Sequence, residues 1–90
     1  MILSYEDEIA NELGITEETF VGTIEVIGRR LNICPYVIDL RNLRKIIRKA
    51  SKLGYQVALP RAVLSNSKVL RIKGFYKTEN FWVLEPQEKR

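Results

Sequence analysis

The chain has 90 residues, 46% of them hydrophobic and 29% charged, with 15 lysines and arginines, 11 acids, no histidine and one cysteine. That length holds one hydrophobic core, and the balance is that of a folding domain rather than a disordered segment. The missing histidine removes the usual general base and metal ligand, one cysteine can close neither an internal disulfide nor a zinc site, and the glycines match no phosphate-loop spacing, so we expect a single domain over 1–90 that is not an enzyme and needs no metal, cofactor or small-molecule substrate.

The opening MILSYEDE lacks a basic stretch, unlike a secretory signal. No uncharged run exceeds eight residues, against about 20 for a bilayer span. The expectation is therefore a cytoplasmic protein with no membrane association. Ser4 to Leu13 reads as a short helix with Ser4 as N-cap, Tyr5, Ile9 and Leu13 on one stripe, and Gly14 as its stop. Thr16 can cap a second helix in which Phe20, Ile24, Ile27 and Leu31 recur at helical spacing and Arg29 and Arg30 suit the C-terminal dipole. Against this stand the β-branched Thr19, Val21, Thr23, Ile24, Val26 and Ile27 and the glycines at 22 and 28, which favour a strand. Residues 1–31 are thus expected to form an acidic helical part, followed by an apolar connection over 32–38 in which Cys34 reads as a small buried hydrophobe.

Asp39 is a natural N-cap for a helix over 39–53, with Leu40, Leu43, Ile46, Ile47, Ala50 and Leu53 on its apolar face and Gly54 as a left-handed stop. Arg41, Lys45, Arg48 and Lys52 fall within about 60° of one another on the opposite face, with Arg44 and Lys49 on its flanks. Strand patterns follow over 55–59, 68–76 and 81–84, with a turn at 77–80, a loop at 60–67 and a frayed tail over 86–90. The net charge of +4 hides a segregation: residues 1–25 carry seven acids and no base, whereas 26–77 carry thirteen bases against Asp39 alone. Such a block is the electrostatic footprint of a polyanion-binding surface.

The stretch DLRNLRKIIRKASKLGYQVAL resembles the recognition helix of a winged-helix DNA-binding domain running into its first wing strand, and KVLRIKGFYKTENFWVL resembles the rest of the wing. DEIANELGITEETFVGTI is similar to helix-turn-helix segments of sigma factors and quorum-sensing regulators, with Ala10, Gly14 and Ile15 at the tight-packing positions and Leu13, Phe20 and Ile24 at buried ones. The exposed positions of that motif would be acidic, so the resemblances together imply that the basic helix enters the DNA. The implied fold class is α+β, a three-helix winged-helix-like domain with helices first and a C-terminal antiparallel hairpin or three-stranded meander over 55–85.

That resemblance implies a double-stranded DNA-binding regulator or architectural factor, nucleoid-associated and homodimeric. Arg41, Asn42, Arg44, Lys45, Arg48, Lys49 and Lys52 would occupy the major groove, with Asn42 the foremost base reader. Arg61, Lys68, Arg71, Lys73 and Lys77 of the wing would hold the backbone. Two rivals stand beside it: a protein-interaction module joining acidic and basic regions, and a single-strand or RNA binder stacking bases on Phe75, Tyr76, Phe81 and Trp82.

Overall fold

The β-branched run after residue 16 decides the architecture. The computed structural model, which describes residues 2–4, 7–16 and 18–87, folds this run into strands. The elements are β1 (Ile2–Ser4), α1 (Asp7–Leu13), β2 (Gly22–Ile27), β3 (Arg30–Pro35), α2 (Leu40–Lys52), β4 (Gln56–Pro60), a 3-10 helix (Ser67–Leu70), β5 (Tyr76–Lys77) and β6 (Phe81–Leu84). The six strands form one mixed sheet in the order β1-β2-β3-β4-β6-β5.

This arrangement overturns the three-helix winged-helix expectation, because the described residues form two α-helices, a strand precedes the first, and one sheet of mixed direction replaces the meander. The expected second helix is the hairpin β2–β3, paired antiparallel from Gly22 with Pro35 to Ile27 with Arg30. Two residues, Gly28 and Arg29, connect it, with Gly28 at a φ of 58° that a residue bearing a Cβ resists. Thr16 starts no helix: its N–H donates to Thr19 Oγ1 at 2.9 Å, and the N–H of Phe20 donates to its carbonyl, closing a local turn. Side-chain hydroxyls of this kind compete with helix propagation. Ser4, the expected cap of the first helix, belongs to β1. The expected connection over 32–38 is mostly β3.

The segment 68–76 is not a strand either. Asn66 caps the 3-10 helix by accepting from the N–H of Lys68 at 2.9 Å, and Arg71 then takes up a left-handed backbone. The apparent alternation of Leu70 and Ile72 with basic residues comes from this turn, whose Leu70 is fully buried. Only Tyr76 and Lys77 pair, with β6. Of the tail expected to fray over 86–90, Gln87 is tied down, its N–H donating to the carbonyl of Ser51 at 2.9 Å; residues 88–90 lie outside the described ones.

The helix over 39–53 is as expected. Asp39 accepts from the N–H of Asn42, and Gly54 is left-handed with φ 93° just beyond the end. This helix joins β3 to its parallel neighbour β4, with Leu31 beside Val57. A crossover helix must cover the sheet it connects. Leu43, Ile46, Ile47 and Ala50 accordingly bury themselves with Ile24, Leu31, Ile33, Val57 and Leu59 of the sheet, and α1 adds Ile9, Ala10 and Leu13 to the same core. Ala10, Leu13, Ile15, Phe20 and Ile24 are buried, as the helix-turn-helix resemblance required, but in the service of a helix-on-sheet packing.

Two substitutions test this packing by chemical denaturation. A Cβ at residue 22 would run into the Cys34 carbonyl oxygen and come within 2.8 Å of Pro35 Cα, so Gly22→Ala should cost about 1–3 kcal/mol by overpacking the hairpin. Ile47 is 0% exposed, so Ile47→Ala should cost about 2–5 kcal/mol.

Candidate functional site

With the apolar side of α2 pressed on the sheet, its cations have one direction left. Arg41, Lys45, Arg48, Lys49 and Lys52 are exposed, and Arg44 is half-buried. The helix has 13 residues, so this ridge is about 20 Å long at ~1.5 Å per residue. On one flank lies α1, whose Asn11 and Glu12 share a shallow cleft with Asn42, Lys45 and Lys49. Along the other flank Ile72 and Lys73 share a cleft of about 390 Å³ with Arg48, Ser51 and Lys52. Lys73 in turn lines a neighbouring pocket with Lys68 and Arg71. Two basic segments separated by fifteen residues, Lys52 to Lys68, therefore become one surface.

Other expected site residues are placed differently. Arg61 donates from Nη1 to the carbonyls of Thr78 at 3.1 Å and Glu79 at 2.8 Å, and its guanidinium lies 6.0 Å from the Trp82 ring centre, so it fastens the β5–β6 turn. Lys77 is on the edge strand β5, apart from the α2 ridge. Asn42 gives its side-chain amide to Asp39 Oδ2 at 2.9 Å and serves the helix cap. Arg29 is also employed structurally, since its Nη2 donates to the Leu53 carbonyl at 2.6 Å while the guanidinium stacks 4.4 Å from the Tyr55 ring centre. The helix that Arg29 was expected to close, over 16–31, is absent, and the residue instead meets the C-terminus of α2 from the hairpin turn.

The cations of the ridge face solvent.

Of the aromatic residues of the C-terminal segment, only Phe75 borders this surface, in the pocket of Lys68, Arg71 and Lys73. Trp82 donates from Nε1 to the Leu64 carbonyl at 2.8 Å, and Phe75 packs against the core. Phe81 lies under the Arg30 guanidinium, 5.0 Å from its ring centre, on the sheet face opposite the helices. There Arg30 also donates to Asn32 Oδ1 at 2.9 Å, and Asn32 donates to Glu25 at 3.1 Å. Arg30 reaches across β4 to make this stack, and Ala58 beneath is 0% exposed although it faces away from the helices.

On that face the Tyr76 hydroxyl and Gln56 Nε2 both donate to Glu85 Oε2. The bond from Tyr76, then that from Gln56, holds the Glu85 carboxyl below its ordinary value. The same bond to an anion raises the Tyr76 hydroxyl. Comparison with protein-family models, with curated proteins and with solved structures finds no match to this chain. Among the described residues no helix is long and apolar enough to cross a membrane, and no group of three or more acids or cysteines is placed to hold a metal ion.

The depressed Glu85 value fixes a pH dependence. A carboxyl whose folded value lies below its unfolded one stabilises above the unfolded value and loses that contribution as pH falls through the folded one. The stability difference between the native chain and Tyr76→Phe should therefore be steady near neutrality and close in acid. In an NMR titration the Glu85 midpoint should rise in that variant.

Proposed function

We propose that this protein binds double-stranded DNA by laying the cationic ridge of α2, extended by Lys73, across the phosphate backbone. The observation that carries the reading is the joining of Arg48 and Lys52 with Lys73 along one cleft. Folding has gathered cations remote in sequence onto one side of the domain, and self-repulsion makes such a gathering costly without an anionic partner.

Spacing favours a duplex. Arg41, Lys45, Arg48 and Lys52 succeed one another at rises of about 4.5–6 Å along the helix, a ladder suited to consecutive phosphates of a rigid strand. A single-strand binder would in addition offer stacking rings beside its cations. Here Trp82 is committed to the core and Phe81 to the far side of the sheet, while Phe75, packed against the core, borders the pocket of Lys68, Arg71 and Lys73 and none of the α2 cations. Because α2 has α1 and residues 72–73 as shoulders, the reading is of a helix riding on phosphates rather than one sunk in the major groove. Such contacts position a protein and carry little sequence information. The interaction-module alternative is less favoured, since Glu12 already neighbours Lys45 and Lys49 of its own chain.

Arg41, Lys45, Arg48, Lys52 and Lys73 amount to about five phosphate contacts at ~0.9 each, so the log–log plot of duplex affinity against salt should have a slope of about −4 to −5. Changing Arg41, Lys45 and Arg48 together to Ala should flatten it by about three. Fluorescence anisotropy with a random-sequence duplex reads both. Binding that is absent at low salt, or equal in the triple variant, contradicts the reading.

A further inference from the structure

We propose that the segment 67–75 forms a second site, a pocket for a nucleoside phosphate. The pocket has a volume of about 520 Å³ and is lined by Lys68, Arg71 and Lys73 together with Ile72, Phe75 and Gly74. Three of its lining residues are cationic and none is acidic, and beside Ser67 and Gly74 the remainder is apolar with one aromatic ring. This is the pairing a nucleotide requires: charge-assisted hydrogen bonds for the phosphate and a flat apolar wall for the base.

The walls are prearranged rather than gathered by chance from a slack loop. Leu70 is fully buried and pins the 3-10 helix, while Ile72 and Phe75 pack against the core. Between them Arg71 holds a left-handed backbone at φ 58°, in a chain where every other described residue with positive φ is glycine. A long side chain in that conformation is held there by its surroundings, and such positions cluster at ligand sites. Gly74, at φ 105°, lets the chain pass close to Leu84, whose Cδ1 would lie 3.1 Å from a Cβ at this position.

The pocket adjoins the α2 ridge through Lys73 but is lined by none of the α2 cations, so it can be tested apart from duplex binding. Calorimetric titration with AMP, adenosine and inorganic phosphate separates the charged and apolar contributions. AMP should bind at least about tenfold more tightly than either of the other two. Arg71→Asn removes the guanidinium while keeping a side chain that tolerates the left-handed backbone, and should weaken AMP about tenfold or more with an unchanged circular dichroism spectrum. The Arg41, Lys45 and Arg48 triple variant should bind AMP as the native chain does. A 5′-phosphorylated single strand that displaces AMP, where its unphosphorylated form does not, identifies a nucleic-acid end as the source of the nucleotide. Without displacement the source is a free nucleotide, and either outcome upholds the pocket. AMP no tighter than phosphate, or as much loss in the triple variant as in Arg71→Asn, overturns it whatever the duplex experiment gives.

Discussion

Burial of Leu43, Ile46, Ile47 and Ala50 against the parallel pair β3 and β4 is the contact on which the rest of this domain depends. Two parallel strands can be neighbours only through a crossover, and the crossover here is α2 itself. The helix is therefore held over the sheet by covalent connection at both ends as well as by its apolar stripe. Asp39 caps its start, and Arg29, from the turn of the β2–β3 hairpin, closes its end on the Leu53 carbonyl. Once the stripe is buried, Arg41, Lys45, Arg48 and Lys52 have no choice but to face outward. The basic block of the chain becomes an exposed ridge along the helix.

The same helix organises the C-terminal third. Ser51 is buried, and its hydroxyl donates to the Glu85 carbonyl at 3.3 Å while its own carbonyl accepts from Gln87. The end of β6 is thereby strapped to the last turn of α2. Beside it Leu70, Ile72 and Phe75 lean into the core and carry Lys68, Arg71 and Lys73 outward with them. Packing and charge distribution are consequences of one arrangement: with Leu70 and Ile72 turned inward, the adjacent Arg71 and Lys73 are turned to the surface.

Local signals in the sequence are legible where one force acts alone. The helix over 39–53 has an apolar stripe, a cap, a left-handed stop and no competing propensity, and it folds as read. Residues 16–31 carry two signals at once. Phe20, Ile24, Ile27 and Leu31 keep helical spacing, yet β-branching and the glycines at 22 and 28 prevail once β3 is available to pair with β2. Ile27, which the helical stripe would have buried, is 54% exposed at the hairpin end. The stretch 68–76 misleads in the opposite sense, because β-propensity is overridden where Asn66 caps a 3-10 turn and β6 already occupies the place beside β4. The basic character of the site is readable from charge counts. The nearness of Lys73 to Arg48 and Lys52, and the structural employment of Arg61 and Asn42, depend on long-range packing that no local pattern encodes.

The central claim is that the duplex lies along the ridge of α2 and the neighbouring Lys73, on the helical side of the sheet. Lysine-reactivity footprinting read by mass spectrometry, with and without saturating duplex, tests it residue by residue. The account predicts protection of Lys45, Lys52 and Lys73 and unchanged reactivity of Lys77 on the edge strand β5. Protection of Lys77 alone, or equal protection of all four, would contradict it.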